Sequence, residues 1–230
     1  GVGWFVRARV PQTPVFRRLS QRGEIAAHPF FDAVFRNPRN FLVAVGLKIS
    51  EVSWVYILTV FVILYGSKNL GLPRQQLLNA ISIAALLEVI TIPLFGWLSD
   101  RIGRRALYVV GALFTVCFAF PLFWLLDTRD PHLVIITIVV ALNLGHGTMF
   151  GLQSTYFPEL FSTNVRYSGA SVGFQLSAAI GGGLSPIIAA TLVDRMGGTA
   201  GVSIMLIGLA LITFVAVLFA PETKGKPLQA

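Results

Sequence analysis

Charged residues are scarce in this sequence: they make up 12% of its 230 residues, about half the share of an ordinary soluble domain. Such a chain cannot cover a globule with polar surface, which excludes an independent water-soluble enzyme. Cysteine is nearly absent too. Cys117 is the single one, so a disulfide framework and a Cys-x-x-Cys metal site are excluded. The nucleotide-binding pattern G-x-x-x-x-G-K-[ST] is missing, and we expect neither a cofactor nor a metal.

Hydrophobic residues, in contrast, make up 55% of the chain. A membrane-spanning helix needs about 20 mostly apolar residues. Six segments meet this requirement: 41–65, 77–98, 106–126, 133–152, 168–193 and 199–220. The sequence therefore predicts an all-α, polytopic membrane helical bundle over residues 41–220. Residues 1–40 are predicted to be the end of a preceding helix and a cytoplasmic loop, and residues 221–230 a cytoplasmic tail.

The basic residues are distributed unevenly between the two sides of these six spans. Thirteen lie on the side that holds both chain ends and four on the other. The larger group is Arg7, Arg9, Arg17, Arg18, Arg22, Arg36, Arg39, Arg101, Arg104, Arg105, Arg166, Lys224 and Lys226; the smaller is Lys68, Arg74, Arg129 and Arg195. By the positive-inside bias, the first side is cytoplasmic. The orientation of the chain in the lipid bilayer of the cell membrane thus explains most of its net charge of +8. No nucleic-acid partner is expected.

The sequence also contains an internal repeat. Leu98–Gly103 (LSDRIG) and Leu192–Gly197 (LVDRMG) share four of six residues, each after the second span of a three-span unit. Because three spans separate the copies, they lie on opposite sides of the membrane. This predicts two inverted three-helix repeats, a feature of transporter folds; a chance match of common loop residues is the alternative.

Three motifs match one known family. Gly96–Arg105 fits the pattern G-x-L-[SA]-D-[RK]-x-G-R-[RK], Glu159 and Arg166 form an E-x6-R element, and Pro221–Gly225 is a PETKG element. The chain thus resembles the C-terminal half of a major facilitator superfamily transporter, helices 7 to 12 of twelve, and within it most resembles the metabolite:proton symporters. Pro11–Pro14 departs from the family's P-E-x-P element, since Gln12 replaces the acid.

This resemblance implies a secondary transporter, not an enzyme, whose partners are a small-molecule substrate, protons and a missing N-terminal six-helix half. It implies symport of a small organic acid or zwitterion by alternating access. A sugar-porter-like transporter is one alternative, although the sugar-porter elements of helices 7 and 10 are absent at Leu47–Glu51 and Gly145–Gly147. A non-transporting membrane module derived from a transporter is another.

The resemblance also implies a cytoplasmic gate built from the loop motifs, in which acids and arginines form charge-assisted pairs. Its candidate residues are Gly96, Asp100, Arg101, Gly103, Arg104, Arg105, Glu159, Arg166 and Glu222. The simpler alternative is that the arginines only anchor the topology.

Polar residues inside the spans are the candidates for the substrate or proton pathway, because each is costly in a bilayer. They are Lys48, Glu51, Glu88, Asn143, His146 and Gln175. Lys48 and Glu51 stand one helical turn apart and can pair, structurally or for function. Glu88, which has no local partner, is either a proton carrier or a hydrogen-bonded structural acid. His146 lines the pathway or simply packs.

The fifth span carries small residues at every fourth position: Gly169, Gly173, Ser177, Gly181 and Ser185. Small residues at this spacing let helix backbones approach closely, so we expect this small-residue stripe to be a packing surface. Gly169–Gly173 also satisfies G-x-S-x-G, but a hydrolase nucleophile needs a preceding strand, which a membrane helix does not provide.

Overall fold

The computed structural model describes residues 37–161 and 166–225 together with Phe5, Phe31, Val34 and Phe35, with only the backbone described at 166–168. Nearly all of these residues are helical, and this described part has no strand. Six helices are long and apolar enough to cross a membrane. They are α1 (Pro38–Lys68), α2 (Arg74–Ile102), α3 (Arg104–Asp127), α4 (Pro131–Glu159), α5 (Gly169–Met196, with its first turn from Arg166) and α6 (Ala200–Phe219).

All six predicted spans are confirmed. The first five helices extend beyond the predicted segments at both ends, because hydropathy marks only the apolar stretch while helical hydrogen bonding continues into polar residues. The predicted domain limits stay a prediction, since the segment 1–40 lies almost entirely outside the described residues.

The chain reverses in tight turns whose residues suit their positions. Gly103 ends α2 with φ of 107° and Gly197 ends α5 with φ of 70°, a region that favours glycine. Asp130 precedes α4, and its side chain accepts hydrogen bonds from the backbone N–H groups of His132 and Leu133. These bonds lower the pKa of Asp130. The glycine of the repeated sequence thus ends both helices with a positive φ, but the two conformations differ in ψ, which is 145° at Gly103 and 18° at Gly197.

The packing follows the predicted repeat. Helix α1 packs on α5 and α6, α4 packs on α2 and α3, and α3 packs on α6. These main contacts are unchanged when the first three helices are exchanged with the last three, as two copies of one three-helix unit require.

The core has two apolar clusters with a polar layer between them. One cluster contains Trp54, Phe61 and Phe123; the other contains Tyr108 and Tyr156. The second cluster lies toward what we call the motif end, formed by residues 99–105, 155–161 and 221–225. Helix α2 is the least covered of the six helices, because only 17% of an 18-residue apolar stretch of it is buried.

Three of the six membrane-spanning helices contain a π-helical segment: Ile57–Phe61 in α1, Ala141–His146 in α4 and Ala178–Gly183 in α5. Such segments interrupt the regular hydrogen-bond ladder and occur frequently at functional sites. The one in α4 ends at His146, within the polar layer.

Candidate functional site

The polar layer is built around a buried ion pair on α1. Lys48 Nζ lies 2.5 Å from Glu51 Oε2, as their spacing of three residues predicts. Gln153 of α4 completes the pair: its Oε1 accepts from Lys48 Nζ at 2.8 Å, and its Nε2 donates to Glu51 Oε2 at 2.9 Å. Gln153 Nε2 also donates to Tyr108 Oη at 3.0 Å, and that hydroxyl donates to the carbonyl oxygen of Leu47.

Glu51 and Glu88 are joined by a histidine. His146 Nε2 lies 3.0 Å from Glu51 Oε1, and His146 Nδ1 lies 2.7 Å from Glu88 Oε1. The imidazole stacks on Phe150, with ring centroids 4.8 Å apart. The structure therefore gives Glu88 a partner that its own helix does not supply. The three titratable side chains Glu51, Glu88 and His146 connect α1, α2 and α4.

Asn143 lies one turn before His146 but takes no part in this cluster. Its Oδ1 accepts from Thr91 at 2.6 Å, and its Nδ2 donates to the carbonyl oxygens of Ala84 and Val139. These bonds tie α4 to α2 and fix the helix segment that carries His146.

A cavity of about 370 Å³ opens beside the ion pair, between α2, α4 and α5. Its polar lining residues are Gln153, Ser154, Ser171 and Gln175. Two aromatic rings separate it from the lysine: Lys48 Nζ lies 3.9 Å from the ring centroid of Phe174 and 5.1 Å from that of Phe150. Gln153 thus faces both the cavity and the ion pair.

Sequence reasoning placed Gln175 in the pathway but missed Gln153 and Tyr108. Gln153 lies one position beyond the predicted span 133–152, so it is not among the polar residues inside the spans. Tyr108 gave no signal either, since tyrosine is common near the end of a membrane span.

A second charged cluster lies at the motif end, around Arg104. Arg104 Nε lies 2.7 Å from Glu159 Oε2, and its Nη2 donates to Glu159 Oε1 at 2.9 Å. Arg104 Nη1 donates to Asp100 at 3.0 Å and to Thr155 at 3.2 Å. The Arg104 side chain is 11% exposed and that of Asp100 is 65% exposed, so the Glu159 contact is the shielded one. The side chain of Arg166, predicted to join this cluster, lies outside the described residues.

The PETKG element binds the start of α3. Glu222 accepts hydrogen bonds from the backbone N–H groups of Arg104 and Arg105, both at 3.1 Å. Burial raises the pKa of Glu222, but the backbone hydrogen bonds from Lys224, Arg105, Arg104 and Thr223 outweigh burial, and the pKa lies below its ordinary value. Gly103 makes this approach possible, since a Cβ there would lie 2.9 Å from Glu222 Oε2. The carboxylate also meets the positive end of the helix dipole.

The other predicted gate residues lie around this contact. Lys224 Nζ donates to the carbonyl oxygen of Arg101, whose guanidinium lies 4.0 Å from the ring centroid of Trp97. Arg105 donates to the carbonyl oxygen of Leu218. Gly96 lies where α2 crosses α4. A Cβ at this position would be 3.3 Å from the carbonyl oxygen of Gly151, so the glycine allows the two backbones to approach closely.

The small-residue stripe of α5 lies mainly against α1. Ser177 Oγ donates to the carbonyl oxygen of Val45, and Gly173 faces Ala44. At Gly181 an added Cβ would lie 2.7 Å from Val52 Cγ1. Gly169, at the motif end, faces the Phe161 ring instead.

These features define a class of protein: a bundle of membrane-spanning helices with buried, mutually paired charges beside a cavity and an arginine–carboxylate cluster at one end. The comparisons with known proteins agree. The sequence model of the Major Facilitator Superfamily matches residues 1–186, and the chain belongs to this family. The predicted family is confirmed, and its members are transporters rather than enzymes.

Among curated proteins, the shikimate transporter of Escherichia coli K12 is 35% identical over 197 residues, which are 85% of this chain and 45% of that protein. The inner membrane metabolite transport protein YhjE of the same organism is 29% identical over 99% of this chain and 52% of its own length. The citrate-proton symporter of Klebsiella pneumoniae is 23% identical over 98% and 50%. The chain thus spans about half the length of these relatives. No solved structure gives a significant match.

Proposed function

We propose that this chain forms half of a secondary active transporter that moves a small organic acid or zwitterion together with protons by alternating access. The observation that carries the proposal is the buried Lys48, held beside a cavity of about 370 Å³. Six further helices would complete the pathway on the side of the least covered helices, α2 and α5.

The chemistry of the polar layer favours an anionic or zwitterionic substrate. A buried lysine attracts a carboxylate, and the amides and hydroxyls of the cavity supply further hydrogen bonds. The cavity volume lies within the range of small-molecule sites. The named substrates of the relatives have the same character, since shikimate and citrate are organic acids and the proline/betaine transporter of Salmonella typhimurium handles zwitterions by its name.

The motif end fits a gate that must open once per cycle. Arg104 joins α3 to the end of α4 through Glu159, and Thr223 of the tail donates to the same carboxylate. These contacts are shielded enough to hold the helix ends together but lie at the bundle end, where water can replace them. With the excess of basic residues, we assign this end to the cytoplasm.

The proposal is tested by uptake of a panel of carboxylates and betaines into vesicles that contain the full-length protein, including any residues that precede Gly1. A proton gradient should drive accumulation of at least one compound. Lys48→Ala should raise the concentration for half-maximal uptake by about 10- to 100-fold, because a charged hydrogen bond contributes about 1.5–3 kcal/mol.

Arg74→Ala is the matched control, since it removes an exposed cation at the other end of the bundle. No uptake of any compound, or an unchanged concentration dependence in Lys48→Ala, would contradict the proposal. Uptake of sugars alone would favour the sugar-porter alternative.

A further inference from the structure

The imidazole of His146 lies between two carboxylates and contacts one with each ring nitrogen. The distances are 3.0 Å from Nε2 to Glu51 Oε1 and 2.7 Å from Nδ1 to Glu88 Oε1. Both are within hydrogen-bond range for a nitrogen and an oxygen. The side chains are 10%, 1% and 13% exposed for His146, Glu51 and Glu88, so bulk water does not supply the bonds.

This geometry fixes the number of protons in the triad Glu51–His146–Glu88. A neutral imidazole has one N–H donor and one acceptor nitrogen, and an ionised carboxylate only accepts. With both carboxylates ionised and the imidazole neutral, one of the two contacts would join two acceptors. Two hydrogen bonds therefore require one additional proton, either on the second ring nitrogen or on a carboxyl group.

The charges around the triad also require one additional proton. The polar groups that face it are Lys48 from α1, the Tyr108 hydroxyl from α3 and Gln153 from α4, while α5 contributes the Phe174 ring over Lys48. Within the described part of the chain, Lys48 is the only other charged side chain in contact with these groups. Lys48 and the additional proton together balance the two carboxylates. Loss of that proton would leave one uncompensated negative charge in the apolar core, which is costly.

We propose that the triad Glu51–His146–Glu88 holds the proton that is transported, and that His146 passes it between the two carboxyl groups. This inference rests on the proposed function and names the proton site of that transporter. In the transfer step, a protonated Glu88 gives its proton to His146 Nδ1 as the Nε2 proton moves to Glu51. Glu88 becomes a carboxylate, the imidazole remains neutral, and Glu51 becomes a carboxylic acid.

The same step links the proton to the substrate. Glu51 is the carboxylate that neutralises Lys48, at 2.5 Å. Once Glu51 is protonated, Lys48 lacks a counter-charge, and an anion in the neighbouring cavity can supply it. Glu88 is the more exposed acid and lies on the least covered helix, so it exchanges protons with the pathway while Glu51 faces the lysine.

The transport test compares His146→Gln with His132→Gln, a matched control because His132 is exposed at the start of α4. Two assays use the same vesicles of full-length protein: exchange of labelled for unlabelled substrate, and accumulation driven by a proton gradient. We expect His146→Gln and Glu88→Gln to retain exchange at saturating substrate, with a higher half-saturating concentration because Glu51 stays paired with Lys48, but to accumulate substrate only to equal concentrations inside and outside. His132→Gln should behave as wild type.

Absence of both activities in the wild type would refute the proposed function rather than the triad. Gradient-driven accumulation at the wild-type level in both His146→Gln and Glu88→Gln would overturn the triad. Loss of exchange at saturating substrate in both variants would also overturn it, because the triad would then be required for substrate movement itself and not only for its coupling to protons.

A direct count of protons does not depend on transport. In full-length protein with every histidine except His146 replaced by glutamine, which in this chain means His28 and His132, ¹⁵N-histidine NMR reports the ring protons of His146. At neutral pH we expect either an imidazolium or a neutral ring with one protonated carboxyl visible by infrared absorption. Either signal should be lost in Glu88→Gln. A neutral ring with no protonated carboxyl would overturn the proposal.

Discussion

Substitution of Gly181 by alanine tests the packing of α5 on α1. The added methyl group would lie 2.7 Å from Val52 Cγ1, 2.9 Å from Ser53 Oγ and 3.1 Å from the carbonyl oxygen of Ile49. The last of these is backbone and cannot rotate away. The same site holds the hydrogen bond from Ser53 Oγ to the carbonyl oxygen of Gly181 at 3.2 Å, which a shift of either helix would lengthen.

Gly183→Ala is the matched control. Gly183 lies two residues away in the same π-helical segment, and an added Cβ there meets nothing within 4 Å. Both substitutions gain the same intrinsic helix propensity, up to about 1 kcal/mol. The propensity gain therefore cancels when the two are compared. Overpacking of a filled site costs about 1–3 kcal/mol, and we expect this difference between the two variants.

The measurement is the free energy of unfolding in mixed micelles, followed by circular dichroism. Gly183→Ala should equal or slightly exceed the wild type, while Gly181→Ala should be less stable by the stated amount. Equal stability of the two variants would refute the close approach of α5 to α1 at this position, and with it the packing role of the small-residue stripe.

Three further predictions concern other parts of the bundle. The pKa of Glu222 in the folded protein lies below its ordinary value of 4.5. The ionised carboxylate therefore stabilises the fold at a pH above 4.5, and this stabilisation is lost as the pH falls from 4.5 through the lowered pKa. The wild type should therefore melt at a higher temperature than Glu222→Gln at neutral pH and at the same temperature in acid; an equal difference at both pH values would contradict the role of the carboxylate. In a Cys117→Ser background, an impermeant reagent should label Lys224→Cys only from the cytoplasm and Asp130→Cys only from outside, and the reverse pattern would invert the orientation. Tyr108→Phe should reduce the free energy of unfolding by about 1–3 kcal/mol, because it leaves buried polar partners unsatisfied; an unchanged value would show that water replaces the hydroxyl.

The six spans and the small-residue stripe could be predicted from the sequence because both depend on local patterns. Hydropathy over about 20 residues identifies a span, and the spacing of three between Lys48 and Glu51 identifies a pair on one helix face. These signals depend only on neighbours in the chain.

The contacts between helices could not be predicted in the same way. Glu88 and His146 are 58 positions apart, and their pairing depends on how α2 crosses α4. Gln153 meets Lys48 over 105 positions. The Glu222 contact with the start of α3 depends on the tail returning to a helix that begins 118 positions earlier. Hydropathy and spacing carry no information on such crossings.

The ring of Phe174, which lies over Lys48, makes the position of α5 part of the chemistry of the lysine. In the proposed transporter, an anion that reached Lys48 from the cavity would have to displace this ring, so it would bind more tightly when α5 stood away from α1. Thermodynamic coupling is reciprocal. Packing of α5 against α1 would therefore weaken binding of the anion, and binding of the anion would weaken this packing by the same factor. A substitution that loosens this helix contact would therefore lower the stability of the protein and raise its affinity for the anion.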